Sequence, residues 1–407
     1  MKEKSIDIIS IGSELVSGHC QDTNTPFFID ALNKVGVSVR SVSIVRDVED
    51  EIVATIQEKA QTATCIIVTG GLGPTPDDIT REAIAKACGV SLAYREWEAV
   101  KIRKKLVGRP KALVRLSERE ACLPVGAHPL KNAVGVAPGF RIALGKCTIF
   151  CVPGVPQEAS TMFSASIVPF LSRISKGQER CVFTIKTIGL GESRVFIRIR
   201  PFLNRAISIG LYPQGFEVEV RVSAPLAKKK ALQKMHAVMC KALDGHVYAT
   251  TDITIEEAIQ KLLKQQKKTI ACAESCTGGL VGKRLTELPG SSQVFKGGVI
   301  VYDNEVKKSQ LGVTADQLKK WGAVSSPVVR TMAKQIAENF NTSLGVSVSG
   351  IAGPSGGTKA KPVGTIFIGV STKKRTLTKK YMFKGPRDKI RWLSSQAALF
   401  EVWQILQ

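Results

Sequence analysis

The sequence predicts an α/β protein in three parts: a doubly wound α/β domain over residues 1–172, a small α+β connector over 173–250, and a second α/β domain over 251–407. Three observations carry that expectation. At 407 residues the chain is too long for one ordinary core. Short apolar runs alternate with amphipathic stretches in the first part, the pattern of a parallel sheet covered on both faces. After a stretch of shorter elements, the same alternation resumes beyond Thr254.

Each element has its own signal. "IDIISI" reads as a strand, and Thr25-Pro26 opens a helix over 24–33. "VSVRSVSIV" alternates as a strand, and "DVEDEIVATIQEKA" is helical. "CIIVTG" is a continuous apolar run of the kind buried parallel strands show, and residues 71–75 break the chain before the helix "DDITREAIAKAC". In the connector, the strand "CVFTIKTIG" precedes a helix over 192–203. The strict alternation of "FEVEVRVSA" then predicts a half-buried strand, followed by a basic helix over 226–243. The last part opens on a capping box, Thr254 with Glu257, and Ile255, Ala258, Ile259, Leu262 and Leu263 share one helical face. The strand "KKTIACA" leads into "ESCTGG" and a helix carrying Val281, Leu285 and Leu288. Further strands are predicted over 298–302, 344–348 and 365–370, with helices over 315–320, 327–339 and at the end of the chain.

Composition narrows the function classes. Hydrophobic residues make up 44% and charged residues 23%, with no apolar run long enough to span a bilayer, so no membrane partner is expected. The short, alternating first apolar stretch lacks the pattern of a secretory leader. Ten scattered cysteines contain no C-x-x-C pair, which favours reduced thiols in a cytoplasmic protein over a zinc ribbon. A net charge of +24 points to anionic partners. The basic runs "AKKKALQKMH" and "STKKRTLTKK" carry almost no aromatics and read first as solvated surface, so nucleic acid is not an expected partner.

Three polar loops close strands in the first part: "IGSELVSG" with Ser13 and Glu14, "VTGGLGPTPDDIT", and "CVPGVPQE". Glycines at a strand end let backbone N–H groups approach a phosphate, and Asp77 and Asp78 are carboxylates suited to a hard cation such as Mg²⁺. The plainer reading is that the glycines make a turn and the aspartates cap a helix. Together with "GSELVSGHCQDTN" and "NAVGVAPGF", these segments resemble the competence/damage-inducible protein CinA family, whose N-terminal domain is similar to the molybdopterin-binding domains of molybdenum-cofactor biosynthesis. The resemblance implies hydrolysis of an ADP-ribose-type pyrophosphate. It would put Gly70, Gly71, Gly73 and Asn24 at the substrate, and Glu14, Asp77 and Asp78 at a divalent cation (Mg, Mn or Co).

The last part resembles the same family's C-terminal domain through "AESCTGG", "PGSSQVFKGGVIVYDNEVK", "GAVS" and "SGIAGPSGGTKAKPVGT". Stand-alone relatives of that domain are nicotinamide mononucleotide deamidases, so the resemblance implies hydrolysis of nicotinamide mononucleotide to nicotinic acid mononucleotide and ammonia, with no cofactor. No histidine follows His246, which excludes a Ser-His-Asp triad within this part and leaves a serine–lysine arrangement open. By resemblance, Ser275, Ser292, Tyr302 and Lys307 fall at the family's catalytic positions. Ser292 is taken as nucleophile and Lys307 as general base, with Ser275 and Tyr302 orienting or relaying the proton. The residues alone leave the choice between Ser292 and Ser275 open.

Plainer readings stand beside these. Ser292 follows Pro289-Gly290 and suits a turn, Lys307 suits a solvated helix, and Cys276 suits a small buried hydrophobe. Thr277, Gly278 and Gly279, with Gly350 and Gly353 of the later glycine loop, are expected to bind substrate through backbone donors. Arg387, in "FKGPRDKIR", is expected to pair with the substrate phosphate. The family also implies a homodimer. A different class stays open: a non-catalytic nucleotide- or DNA-associated binding protein, or a chain in which only one of the two outer domains is active.

Overall fold

The computed structural model describes residues 5–174, 180–203 and 207–407. It divides into two compact units, one reaching Val182 together with Pro225–Lys228, the other made of Phe183–Ala224 and Lys229–Gln407. No helix among the described residues is long and apolar enough to cross a membrane.

In the first unit six strands form one sheet in the order Val39–Val45, Ile6–Ile11, Cys65–Thr69, Cys147–Val152, Gly139–Leu144, His128–Leu130. The first four are parallel, and Gly139–Leu144 pairs antiparallel with both of its neighbours. Ile6–Ile11 and Cys65–Thr69 are buried throughout, as their unbroken apolar runs predict. Helices over Asn24–Lys34, Glu49–Ala60 and Thr80–Cys88 cover the faces, and a separate apolar cluster fills each side. The chain leaves Ile6–Ile11 for one neighbour and returns to pair on its other side. That reversal opens a crevice beyond the strand ends, where open α/β sheets take their ligands.

The connector has the element order strand, helix, two strands, helix, strand. Its sheet runs Ser208–Gln214, Glu217–Pro225, Arg180–Ile188, Val247–Ala249. Val218, Val220, Val222 and Ala224 are buried in strict alternation, as the sequence predicts. Two strands escaped the sequence reading. Ser208–Gln214 holds a glycine and a proline, which belong on an edge, and it is the edge strand here.

The connector packs on the last domain through a buried polar seam. Arg284, 3% exposed, donates to Glu256 at 2.6 Å and to the Ser395 hydroxyl at 3.1 Å, lies 3.9 Å from Glu217, and sits over the Trp392 ring. Gln396 donates to Glu217 at 3.0 Å and accepts from the Phe216 N–H at 2.9 Å.

The last domain is a five-stranded sheet in the order Phe295–Ile300, Ile270–Glu274, Leu344–Gly350, Thr365–Thr372, Thr376–Met382. The first three are parallel. The capping box at Thr254 and Glu257 is present, and the helix Ile255–Gln265 buries Ile255, Ala258, Ile259 and Leu263. Three expectations need correction. The strand predicted over 298–302 runs over Phe295–Ile300, leaving Tyr302 beyond its end. The signal was blurred by Gly297 and Gly298; a Cβ on Gly298 would press on the Cys272 carbonyl of the neighbouring strand. The helix after "ESCTGG" spans Leu280–Thr286 and excludes Leu288. Thr376–Met382, rich in lysine and threonine, is an unforeseen edge strand.

Candidate active site

In the last domain the chain leaves Ile270–Glu274 for Phe295–Ile300 on one side and later pairs Leu344–Gly350 on the other, so the sheet reverses direction at the central strand. Ser275 follows that strand directly. A cleft of about 220 Å³ opens there, lined by Ser275, Cys276, Tyr302, Asn304, Lys307 and Arg387, with Ser349 and Gly350 from the third strand.

Lys307 reaches the cleft because a helix begins just before it. Asp303 caps the helix Asn304–Leu311 by accepting from the Glu305 N–H at 2.7 Å. One turn in, Lys307 folds back so that its Nζ donates to the Tyr302 carbonyl at 2.9 Å. The residue is 2% exposed. Burial pushes its ammonium below the ordinary lysine value, against the opposing pull of Asp303. A solvated surface lysine is therefore the wrong description; this is a desolvated amine lining the same cleft as Ser275.

Ser292 does not belong to this cleft. It is exposed in the short turn Ser291–Gln293, which leads into the start of the Phe295–Ile300 strand. Parallel pairing of Ile270 with Phe295 and of Glu274 with Ile300 puts Ser292 at one end of the sheet and Ser275 with Lys307 at the other. Five or six residues of strand at about 3.3 Å each separate them by roughly 17–20 Å. The pairing of Ser292 with Lys307 is corrected on that ground. The proline-glycine turn reading describes Ser292.

Cys276 is 4% exposed and packs in the apolar core, and burial pushes its thiol up to about 12. It is a neutral hydrophobe in the cleft wall, as expected. Tyr302 accepts at its hydroxyl from Arg387 at 2.8 Å, so its phenol is turned to the arginine, while its carbonyl holds Lys307. Arg387 also donates to the Gly353 carbonyl at 2.6 Å, and that bond is how Gly353 is tied to the cleft rim. Two of the donors of Arg387 are thus used internally, and the guanidinium stays exposed at the cleft mouth.

The glycine turn after Ser275 differs from the expected phosphate cradle. Glu274, 1% exposed, accepts from the N–H groups of Gly279 at 3.0 Å, Val281 at 3.0 Å and Gly282 at 2.8 Å. The protein's own carboxylate thereby occupies the anion site at this helix start. Gly278 donates to the Ser275 carbonyl at 3.1 Å. Gly278 and Gly279 have no N–H left for a substrate. Thr277 is fully buried, and its hydroxyl has no partner among the described residues.

In the first unit, the backbone of 70–73 is held from behind. The Thr80 hydroxyl donates to the Gly70 carbonyl at 2.9 Å, and the Thr80 N–H to the Gly71 carbonyl at 3.1 Å. Arg81, fully buried, donates to the carbonyls of Leu72 and, at 3.0 Å, Gly73. Gly70 and Gly71 have φ of 109° and 64°, and a Cβ at either would collide with Ile11 or Thr80. With these carbonyls tied back, the N–H groups of Gly71, Leu72 and Gly73 have no partner among the described residues.

Asn24 is a staple between loops, donating to the Thr69 hydroxyl at 3.0 Å and the Gly154 carbonyl at 2.8 Å. Both its N–H donors are spent there, so it offers substrate none. Asp78 turns back to accept from the Thr75 N–H at 2.9 Å, Asp77 is exposed, and Glu14 lies exposed over Gly12. Among the described residues no group of three or more His, Cys, Asp or Glu side chains could hold a metal ion. The three carboxylates expected to bind a divalent cation are therefore not a preassembled ligand set, and no step is routed through a metal.

Residues 252–406 match the family described as the CinA C-terminal domain, 183–249 the damage-inducible protein CinA KH domain, and 7–173 a probable molybdopterin binding domain. A protein of Halothermothrix orenii described as competence-damage inducible is 36% identical over 409 residues, covering 98% of each chain. The chain belongs to the CinA family. A CinA-like protein of Thermosipho melanesiensis is 35% identical over 99% of this chain and 100% of its own. Among solved structures, the CinA protein of Thermoplasma acidophilum is 33% identical, covering 40% of this chain and 96% of its own at a TM-score of 0.38.

Within this CinA chain, sequence reasoning missed two residues that shape the turn. Glu274 was legible as an acid inside a fully apolar strand. Arg391, whose guanidinium donates to the Cys276 and Thr277 carbonyls, was legible from its i,i+4 spacing after Arg387, which puts both on one face of the Arg387–Leu406 helix.

Proposed function

We propose that the C-terminal domain hydrolyses the carboxamide of nicotinamide mononucleotide, with Ser275 as nucleophile and Lys307 as general base. The observation that carries this is the desolvated Lys307 amine and Ser275 in one cleft, at the point where the sheet reverses. The Ser275 hydroxyl attacks the amide carbon while Lys307 takes its proton. The donor for the tetrahedral oxyanion in this reading is the backbone N–H of Cys276, a residue of the cleft wall next to Ser275. Lys307 returns the proton to the departing ammonia, and water, deprotonated by the same amine, releases the carboxylate from Ser275. Arg387 at the cleft mouth keeps donors for the nucleotide phosphate. Ammonia release from nicotinamide mononucleotide by the full chain tests the reading. No release from folded protein would favour a binding role.

A base must be neutral to act. Burial lowers the value of Lys307, so kcat/KM is expected to rise with pH and level off below the ordinary lysine range. A pH profile that is flat or falls from pH 6 to 9 would contradict Lys307 as the base.

For the first domain we infer an anion-binding role, with the N–H groups of Gly71, Leu72 and Gly73 facing the pyrophosphate of a ligand such as ADP-ribose. Gly71→Val, at a φ of 64°, is expected to weaken ADP-ribose binding at least about tenfold in calorimetric titration. Unchanged affinity would remove this loop from the site.

A further inference from the structure

We propose that a cavity at the far end of the C-terminal sheet is a second anion site, one that takes a short polyphosphate, free or carried on a nucleotide. The cavity, of about 450 Å³, lies between the end of the helix Ser326–Asn339 and the hairpin joining Thr365–Thr372 to Thr376–Met382. Among the described residues it is lined by four cations, Lys334, Lys373, Lys374 and Arg375, against one carboxylate, Glu338. Thr372 pairs with Leu344, the first residue of a strand whose last, Gly350, lines the Ser275 cleft. The seven residues of that strand, at about 3.3 Å each, put roughly 20 Å between the two openings. Arg387 serves the other end, so the charge collected here is not part of the amidase site.

The hairpin belongs to the basic run "STKKRTLTKK", which the sequence alone reads as solvated surface. Its backbone is tied internally. The Thr372 hydroxyl accepts from the N–H groups of Lys374 at 3.3 Å and Arg375 at 3.1 Å, and Arg330 of the helix donates to the Thr376 carbonyl at 2.7 Å. The side chains of Lys373, Lys374 and Arg375 are exposed and have no partner among the described residues. Lys334 has a loose contact with Glu338 at 3.8 Å. Cations near a helix C-terminus ordinarily answer its dipole, which amounts to about half a negative charge. Here the last carbonyls are already met, since the N–H groups of Phe340, Asn341 and Thr342 reach Ile336, Glu338 and Ala337. Half a charge and one carboxylate account for fewer than two of the four cations, and the rest repel one another with no internal counterpart. A multivalent anion relieves that repulsion. Neutral donors complete the wall: the Ser343 hydroxyl accepts from the Thr269 N–H at 3.2 Å and keeps its own proton to donate, and the Asn341 amide has no partner among the described residues. No aromatic side chain lines the cavity among the described residues, so it reads phosphate charge and offers a base nothing to stack on. That favours a short polyphosphate over a nucleic-acid strand.

The test is calorimetric titration of the full chain with inorganic triphosphate, ATP, AMP and a single-stranded DNA oligonucleotide, without added metal. Triphosphate and ATP should bind within about threefold of each other, because the base meets no wall, and AMP at least about tenfold more weakly, because it brings fewer charges. Combining Lys373→Ser, Lys374→Ser and Arg375→Ser should weaken triphosphate binding at least about tenfold while ammonia release from nicotinamide mononucleotide stays within about twofold of wild type. Gly71→Val, which alters the anion loop of the first domain, should leave the heat lost in the triple variant in place. The three hairpin positions are exposed, so the variant should melt as wild type does. Should it lose its cooperative melt, Arg375→Gln decides, with binding weakened at least about threefold. A triple variant that binds triphosphate as tightly as wild type, a wild-type chain that binds none, or AMP binding as tightly as ATP would overturn the inference. Tight binding of the oligonucleotide with none of triphosphate would also overturn it, and would assign the hairpin to nucleic acid.

Discussion

Ser275→Ala and Lys307→Met are each expected to cut ammonia release from nicotinamide mononucleotide by about 10⁴-fold or more, as loss of a nucleophile or its base does in serine hydrolases. Ser292→Ala is expected to stay within about twofold of wild type. The contrast follows from the parallel register, which puts Ser292 at the opposite end of the sheet from Lys307. Both inactive variants should keep their fold. Ser275 lies in a loop, and methionine keeps the buried stem of Lys307 while removing a desolvated amine. A coupled-enzyme ammonia assay beside a thermal melt reads both. If Ser292→Ala were inactive and Ser275→Ala active, the cleft at Lys307 would be the wrong site.

The second large effect is on stability. Arg284→Ala removes a cation that is 3% exposed and leaves Glu256 and Glu217 facing each other in the seam between connector and C-terminal domain. Their side chains keep 13% and 17% exposure, so the low end of the cost of a broken buried pair applies, about 3 kcal/mol. Burial already holds the Glu217 carboxyl above its usual range, and losing the guanidinium pushes it further up. For a unit of this size the loss corresponds to a fall in Tm of roughly 6–12 °C. Trp392, stacked on the guanidinium, gives a local fluorescence signal for the melt. Arg284→Met with Glu256→Gln should recover part of the loss, because the second change removes an uncompensated charge. A Tm within 2 °C of wild type in Arg284→Ala would show that the seam contributes little.

Much of the fold was legible because its strands are buried on both faces and its helices announce their starts. Cys65–Thr69 reads as a core strand from five apolar or threonine positions alone, and Thr254 with Glu257 marks a helix to the residue. Among the missed strands are the edges Ser208–Gln214 and Thr376–Met382, whose glycine, proline and lysine content follows from having no neighbour on one side, while the interior strand Gly139–Leu144 was also missed. The site was legible in its residue types and less so in its pairings. Lys307 and Ser275 stand in the sequence, yet only the fold shows that they line one cleft while Ser292 lies at the other end of the sheet. The glycines of "ESCTGG" suggested a ligand cradle because nothing in a sequence says that Glu274 turns into it. Arg391 lies 115 positions from Cys276, a separation no local pattern bridges.

The claim that Ser275 attacks the amide is tested most directly by trapping the covalent intermediate. Full-length protein mixed with saturating nicotinamide mononucleotide is quenched in acid within the first turnovers, digested, and mapped by mass spectrometry. The expected result is a nicotinoyl-nucleotide ester on the peptide containing Ser275, absent from Ser275→Ala. An adduct on Ser292 or Cys276, or full ammonia release from Ser275→Ala, would contradict it.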